Sequence, residues 1–222
     1  MIKINTLQLF EGCILGTIAQ SVWLLKSLIK LEEQYWDGLN YNISNTEGAY
    51  GTLSFFGKDK LFAAFFDTKS YLNPFVKSND RYSSEDLYKS AHIEIKKIAQ
   101  EDTLQYMLQN YKGKVVPLIT SCFWIYKDEL FAEYEWAEVY NNGAYLLKTQ
   151  LITDFKIALN EWQKNYNLNE TEIELVKRLF ILKKSNLYAI VAIDKAIIKE
   201  IKSISEDTQL CFQHLESIKF KI

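Results

Sequence analysis

Apolar positions near the start of the chain recur at steps of three and four residues. Leu7, Phe10, Ile14, Ile18, Val22, Leu25, Leu28 and Ile29, with Ser21 among them, share one face of a helix over residues 7–35. Leu15, Ala19, Trp23 and Leu31 widen that face, so the pattern predicts a long, buried N-terminal helix. Gly12 and Gly16 would each cost this helix about 1 kcal/mol relative to alanine. They mark either a helix start after Gly16 or a close approach by another part of the chain.

A second helical period opens at "SSEDLYKSAHIEIKKIAQEDTLQYMLQNY", where Ser83 and Asp86 fit a capping box. Leu87, Ala91, Ile95 and Ile98 form its inner stripe. "TDFKIALNEWQKNY" predicts a third helix with Phe155, Leu159 and Trp162 on one side. Asn169 and Glu172 repeat the capping pattern ahead of "IELVKRLF".

Between the helices the period changes. "KDKLFAAFFD" from Lys58, "KDELFAEYEW" from Lys127 and "KSNLYAIVAI" from Lys184 share a lysine, two polar residues, a leucine, an aromatic and an alanine. Each comes after an apolar run: "GTLSFF", "LITSCFWIY" and "LFIL". Two strand-like runs joined by a short polar turn form a β-hairpin. The expected fold is therefore α+β: one globular domain over residues 1–222, with an antiparallel sheet built from hairpins at about 49–67, 116–140 and 178–194. Helices pack on that sheet, and "SIKFKI" supplies a last strand. Residues 184–204 also fit a helix.

Composition narrows the function. The chain has 222 residues, 48% of them hydrophobic, and a net charge of −2. Arg81 and Arg178 are its only arginines. Bidentate recognition of phosphate or guanine prefers arginine, so nucleic acid is not the expected partner. Heavy use of Lys, Ile, Asn and Tyr fits an AT-rich bacterial or viral genome. Cys13, Cys122 and Cys211 are odd in number and widely spaced, which points to a reducing cytoplasm rather than a disulfide framework. The apolar run Cys13–Leu25 has 13 residues, where a spanning helix needs about 20, so no membrane segment is expected.

Several chemistries fail on spacing. In "EGAYGTLSFFGKDKLFAAFFD" five residues separate Gly51 from Gly57, and Asp59 stands where a phosphate loop needs serine or threonine. The stretch predicts a hairpin, and no cofactor motif occurs elsewhere. "FEGCILGTIAQSVW" resembles the opening of ADP-ribosylglycohydrolases, but Gln20 stands near where their acid is expected and no paired aspartates come after it. Cys211 and His214 supply at most half a zinc site, so no metal is expected. Cys13, near a helix start, is a candidate for a lowered thiol pKa. Cys122 in "LITSCFWIY" is expected to act as a small hydrophobe. Glu47 and Asp67 bracket the first hairpin and could meet at its open end.

The second hairpin differs from the first. Strand alternation would place Glu133 and Glu135 side by side, where the first hairpin has Ala64 and Phe66. With Tyr134, Trp136 and Glu138 they predict an acidic, aromatic partner-binding face, and no catalytic residue is assigned. The expected function is that of a non-enzymatic cytoplasmic protein-binding protein. It would resemble an immunity or antitoxin-like inhibitor that masks a protein partner such as a basic toxin domain. The alternatives are a hydrolase with scattered carboxylates or a cysteine, and a small-ligand sensor.

Overall fold

The computed structural model describes residues 4–27, 33–76 and 82–222. The elements begin with α1 (Thr6–Leu24), β1 (Gln34–Asp37), β2 (Asn40–Ser44), β3 (Tyr50–Phe56) and β4 (Lys60–Phe66). Next come α2 (Ile93–Glu101), β5 (Leu108–Tyr111), β6 (Lys114–Pro117), β7 (Ser121–Tyr126), β8 (Glu129–Phe131) and α3 (Trp136–Asn141). The chain closes with α4 (Phe155–Asn165), α5 (Glu170–Lys184), β9 (Val191–Ala192), α6 (Lys195–Ile204), α7 (Gln209–Ser217) and β10 (Phe220–Lys221). Helices and antiparallel sheet are mixed as expected of an α+β chain. Two compact units emerge: one from Met1–Gln8 with Leu39–Lys148, the other from Leu9–Gly38 with Thr149–Ile222.

In the first unit the strands run in the order β2-β3-β4-β7-β8, all antiparallel. The hairpin expected at 49–67 is β3–β4, with Phe56 opposite Lys60 across a Gly57-Lys58-Asp59 turn. Gly57 takes a φ of 75°, a conformation glycine adopts without penalty. β4 lies between β3 and β7, and all but its first residue are buried, which is why its sequence is apolar on both faces. On one face Phe62, Ala64 and Phe66 join Cys122 and Trp124 in a core closed by Leu87, Ile95, Ile98 and Met107. On the other face Phe65 stacks on Phe123, and Phe123 meets Trp136 of α3 edge-on at 5.5 Å. At Gly51 any Cβ would strike the Phe65 ring, so the cross-strand position opposite Phe65 has to be glycine.

The helix expected from Ser83 is broken. Ser83 caps only a 3-10 turn over Ser84–Leu87, His92 opens α2, and Asp102 ends it with φ −120° and ψ −79°. The inner stripe survives, because Leu87, Ala91, Ile95 and Ile98 all enter the core. Beyond Met107 the chain forms a hairpin, β5–β6, turned by Lys112 (φ 51°) and Gly113 (φ 80°). The second expected hairpin, 116–140, is shorter than its sequence pattern. β7 and β8 pair across Lys127-Asp128, and the strand stops at Phe131.

α1, which belongs to the second unit from Leu9 onward, starts at Thr6, so the two glycines mark close approach. A Cβ on Gly12 would fall 2.1 Å from the Gln150 carbonyl oxygen, and one on Gly16 would meet the Trp162 ring. The helical period expected to reach residue 35 gives way to strand by Gln34. Leu28, Ile29 and Leu31 of that pattern lie outside the described residues. By length and composition α1 could cross a membrane, yet 78% of its most apolar window is buried inside the protein, as in a core helix of a soluble protein. Of the polar side chains it buries, Thr17, Gln20 and Ser21 are matched, while Thr6 Oγ1 has no hydrogen-bond partner among the described residues. Gln20 Oε1 accepts the N–H groups of Glu33 and Gln34, each at 3.0 Å, and its Nε2 donates to the Gln34 carbonyl at 2.6 Å. One side-chain amide thus does for β1 what a neighbouring strand would do.

The third expected hairpin, 178–194, is not formed. α5 runs through Lys184 because the capping box starts it firmly. Asn169 Oδ1 accepts from Glu172 N–H, and Glu172 Oε2 from Asn169 N–H. Ile173, Val176, Leu179, Phe180 and Lys183 then face inward at helical spacing. Only Val191–Ala192 becomes strand, paired in parallel with the predicted last strand at Phe220–Lys221, and residues 195–204 are helical.

Candidate functional site

The five residues proposed as a partner-binding face lie where the first unit's sheet gives way to helix. They do not share one strand. Glu133 Oε1 accepts the Ser90 backbone N–H, and the chain has left the sheet just after Phe131. Glu135, at φ −57° and ψ 144°, occupies the residue before α3. Glu133 and Glu135 are therefore not strand neighbours, because the strand ends before the alternation can reach them. Trp136 is half-buried against Phe123 and serves the core as much as the surface.

What does come together is a cluster around α3. Tyr134 is 43% exposed, and Glu135 and Glu138 are exposed. Glu138 Oε1 accepts from the Tyr71 hydroxyl at 2.9 Å, and this bond to a carboxylate raises the Tyr71 pKa. Sequence patterning does not single out Tyr71. Its only signal is an aromatic residue in the polar stretch "DTKSYLN", with nothing local to say what it faces.

The loop carrying Tyr71 is held in place. Asp67 Oδ1 accepts the Lys69 N–H and Ser70 N–H reaches the Asp67 carbonyl, so the chain turns immediately after β4. Ser70 Oγ then donates to Asn142 Oδ1 at 2.5 Å, while Asn142 Nδ2 donates to the Glu138 carbonyl at 2.8 Å. Thr120 Oγ1 donates to the Asn142 carbonyl at 2.6 Å. Loop and helix are thereby fastened through one buried asparagine. The result is Tyr71 held against Glu138, beside exposed Tyr134 and Glu135, an arrangement suited to receiving lysine or arginine side chains.

The other candidates are otherwise engaged. Glu47 Oε2 pairs with Lys69 Nζ at 2.6 Å, and Asp67 takes the backbone N–H of the same lysine. Cys13 is fully buried, and burial pushes its thiol well above the ordinary value, opposite to the activation expected at a helix start. Cys122 is a buried strand residue, its Sγ donating to the Leu87 carbonyl at 3.1 Å. Cys211 and His214 lie one turn apart on α7, with His214 Nδ1 3.3 Å from Gln20 Nε2. Among the described residues no group of three or more His, Cys, Asp or Glu side chains could hold a metal ion. Comparison with protein-family models, with curated proteins and with solved structures found no match.

Proposed function

We propose that this chain is a cytoplasmic, protein-binding protein of bacterial type, an inhibitor that masks a basic partner through Tyr71, Tyr134, Glu135 and Glu138. The observation that carries the reading is the Tyr71–Glu138 hydrogen bond beside exposed Tyr134 and Glu135, on a loop and helix locked by Asn142. A surface fixed before binding loses little side-chain entropy on association. Carboxylates at the rim of such a surface speed encounter with a positively charged protein. Buried cysteines outside any disulfide fit a reducing compartment.

The test is affinity capture from native lysate with the wild-type chain and with Glu135→Lys/Glu138→Lys in parallel. Both substitutions fall on exposed positions, so circular dichroism should match the wild type, with melting lowered only slightly by loss of the Tyr71–Glu138 bond. The wild type should retain one stoichiometric protein partner whose association slows as salt rises, and the double variant should lose at least tenfold in affinity. Equal capture by both chains, or no stoichiometric partner for the wild type, would sink the reading.

A further inference from the structure

The first unit contains a cleft of about 630 Å³ walled by the 3-10 turn at Ser84–Leu87, the end of α2 and the β5–β6 hairpin. Clefts of roughly 300–1,000 Å³ with apolar walls and a few placed polar groups are typical small-molecule sites. Leu104, Val116 and Pro117 supply apolar wall. Tyr82, Tyr88 and Tyr111 supply ring surface.

These rings are fixed in place. The Tyr82 hydroxyl donates to the Ile119 carbonyl at 2.9 Å and accepts the Ile119 N–H at 2.7 Å, so the ring is anchored at both of its hydrogen-bonding functions. Tyr111 packs edge-on against Tyr82 at 6.0 Å, and its hydroxyl reaches the Pro74 carbonyl at 3.2 Å. Tyr88 is buried and packs edge-on against Phe62. Because the Tyr82 and Tyr111 hydroxyls are occupied within the protein, what these two tyrosines offer a ligand is ring surface.

Among the described residues, Lys112 and Lys114, which flank Gly113 at the tip of the β5–β6 turn, line the cleft together with one carboxylate, Glu85. Lys112 Nζ lies 5.3 Å from the centre of the Tyr111 ring, so ammonium and aromatic surface sit side by side. We infer that this cleft binds a small aromatic anion, its ring against Tyr82 and Tyr111 and its phosphate or carboxylate between Lys112 and Lys114. The inference stands independently of the acidic face around α3, which would attract the opposite charge.

The test is titration of the ¹⁵N-labelled full chain with phenyl phosphate, with inorganic phosphate and benzyl alcohol titrated separately. Phenyl phosphate should give saturable shifts confined to amides of residues 82–88 and 104–117. Each of the other two probes should bind at least tenfold more weakly. Lys112→Glu/Lys114→Glu, on an exposed turn, should keep the native spectrum and weaken phenyl phosphate binding at least tenfold. No saturable shift, shifts centred elsewhere, or binding unaffected by the double variant would overturn the site. Equal binding of inorganic phosphate would overturn its aromatic half, and equal binding of benzyl alcohol its anionic half.

Discussion

Lys183 shows how far a single residue can depart from what its type suggests. It is fully buried at the end of α5, its Nζ donating to the Ala189 carbonyl at 2.7 Å and lying 5.8 Å from the Phe220 ring. Burial lowers its pKa to about 8, with nearby Lys219 adding to the effect. Between about pH 8 and the ordinary lysine value of 10.5 the folded protein therefore binds fewer protons here than the unfolded chain does. Stability contributed through this group rises with pH across that window and is at its lowest below it. Lys183→Met removes the titration. Melting temperatures of wild type and variant compared from pH 7 to pH 10.5 should show the wild type gaining on the variant as pH rises. A difference constant with pH would mean that Lys183 does not titrate in that window. Such a residue is invisible in the sequence, where "ILKKSN" gives no sign of which lysine turns inward. Glu133 is misplaced by its sequence pattern for a related reason: alternation predicts a face, but the strand ends at Phe131 and Glu133 instead accepts from the remote Ser90 N–H.

Among the elements, those stated by local chemistry are legible and those decided by distant partners are not. Asn169 and Glu172 identify the start of α5 because a capping box is complete within four residues. The β3–β4 hairpin is equally plain, since its turn and both its strands lie within one short stretch. "LFIL" in α5 looks like strand because a short apolar run suits either period, and what decides is the helix begun ten residues earlier. α5 therefore depends on its cap. Asn169→Ala should destabilise the protein by about 1 kcal/mol, lowering the melting temperature by about 2–4 °C for a chain of this length. Asn169→Ser, which keeps an acceptor at that position, should recover most of the loss. Equal melting of Asn169→Ala and wild type would show that the cap contributes nothing beyond tertiary packing.

At the scale of the molecule, the three cysteines report on both units. Cys13 and Cys211 belong to the second unit and Cys122 to the first, all buried and in no disulfide. Burial raises the pKa of Cys13 and Cys122, so neither holds its thiol as thiolate at neutral pH. In native buffer a chromogenic disulfide reagent should leave all three unmodified over minutes, and in denaturant it should titrate three thiols per chain. Fast native reaction of Cys13 would instead revive the hydrolase reading, because a reactive nucleophile has to be reachable. Single-cysteine variants would then assign any intermediate step to one unit or the other.

The interleaving of the two units has a consequence for synthesis. Residues 39–148 form most of one unit and interrupt the segments that build the other. As the chain leaves the ribosome, Leu9–Leu24 of α1 emerges more than a hundred residues before Gln150 and Trp162, which pack against its glycines. At translation rates of about 5–20 residues per second the apolar face of α1 waits several seconds without its own core. Within that interval β2, β3, β4, β7 and β8, which pair with one another, have all been made. Until those residues arrive, the apolar face of α1 is open to aggregation and to a holding chaperone.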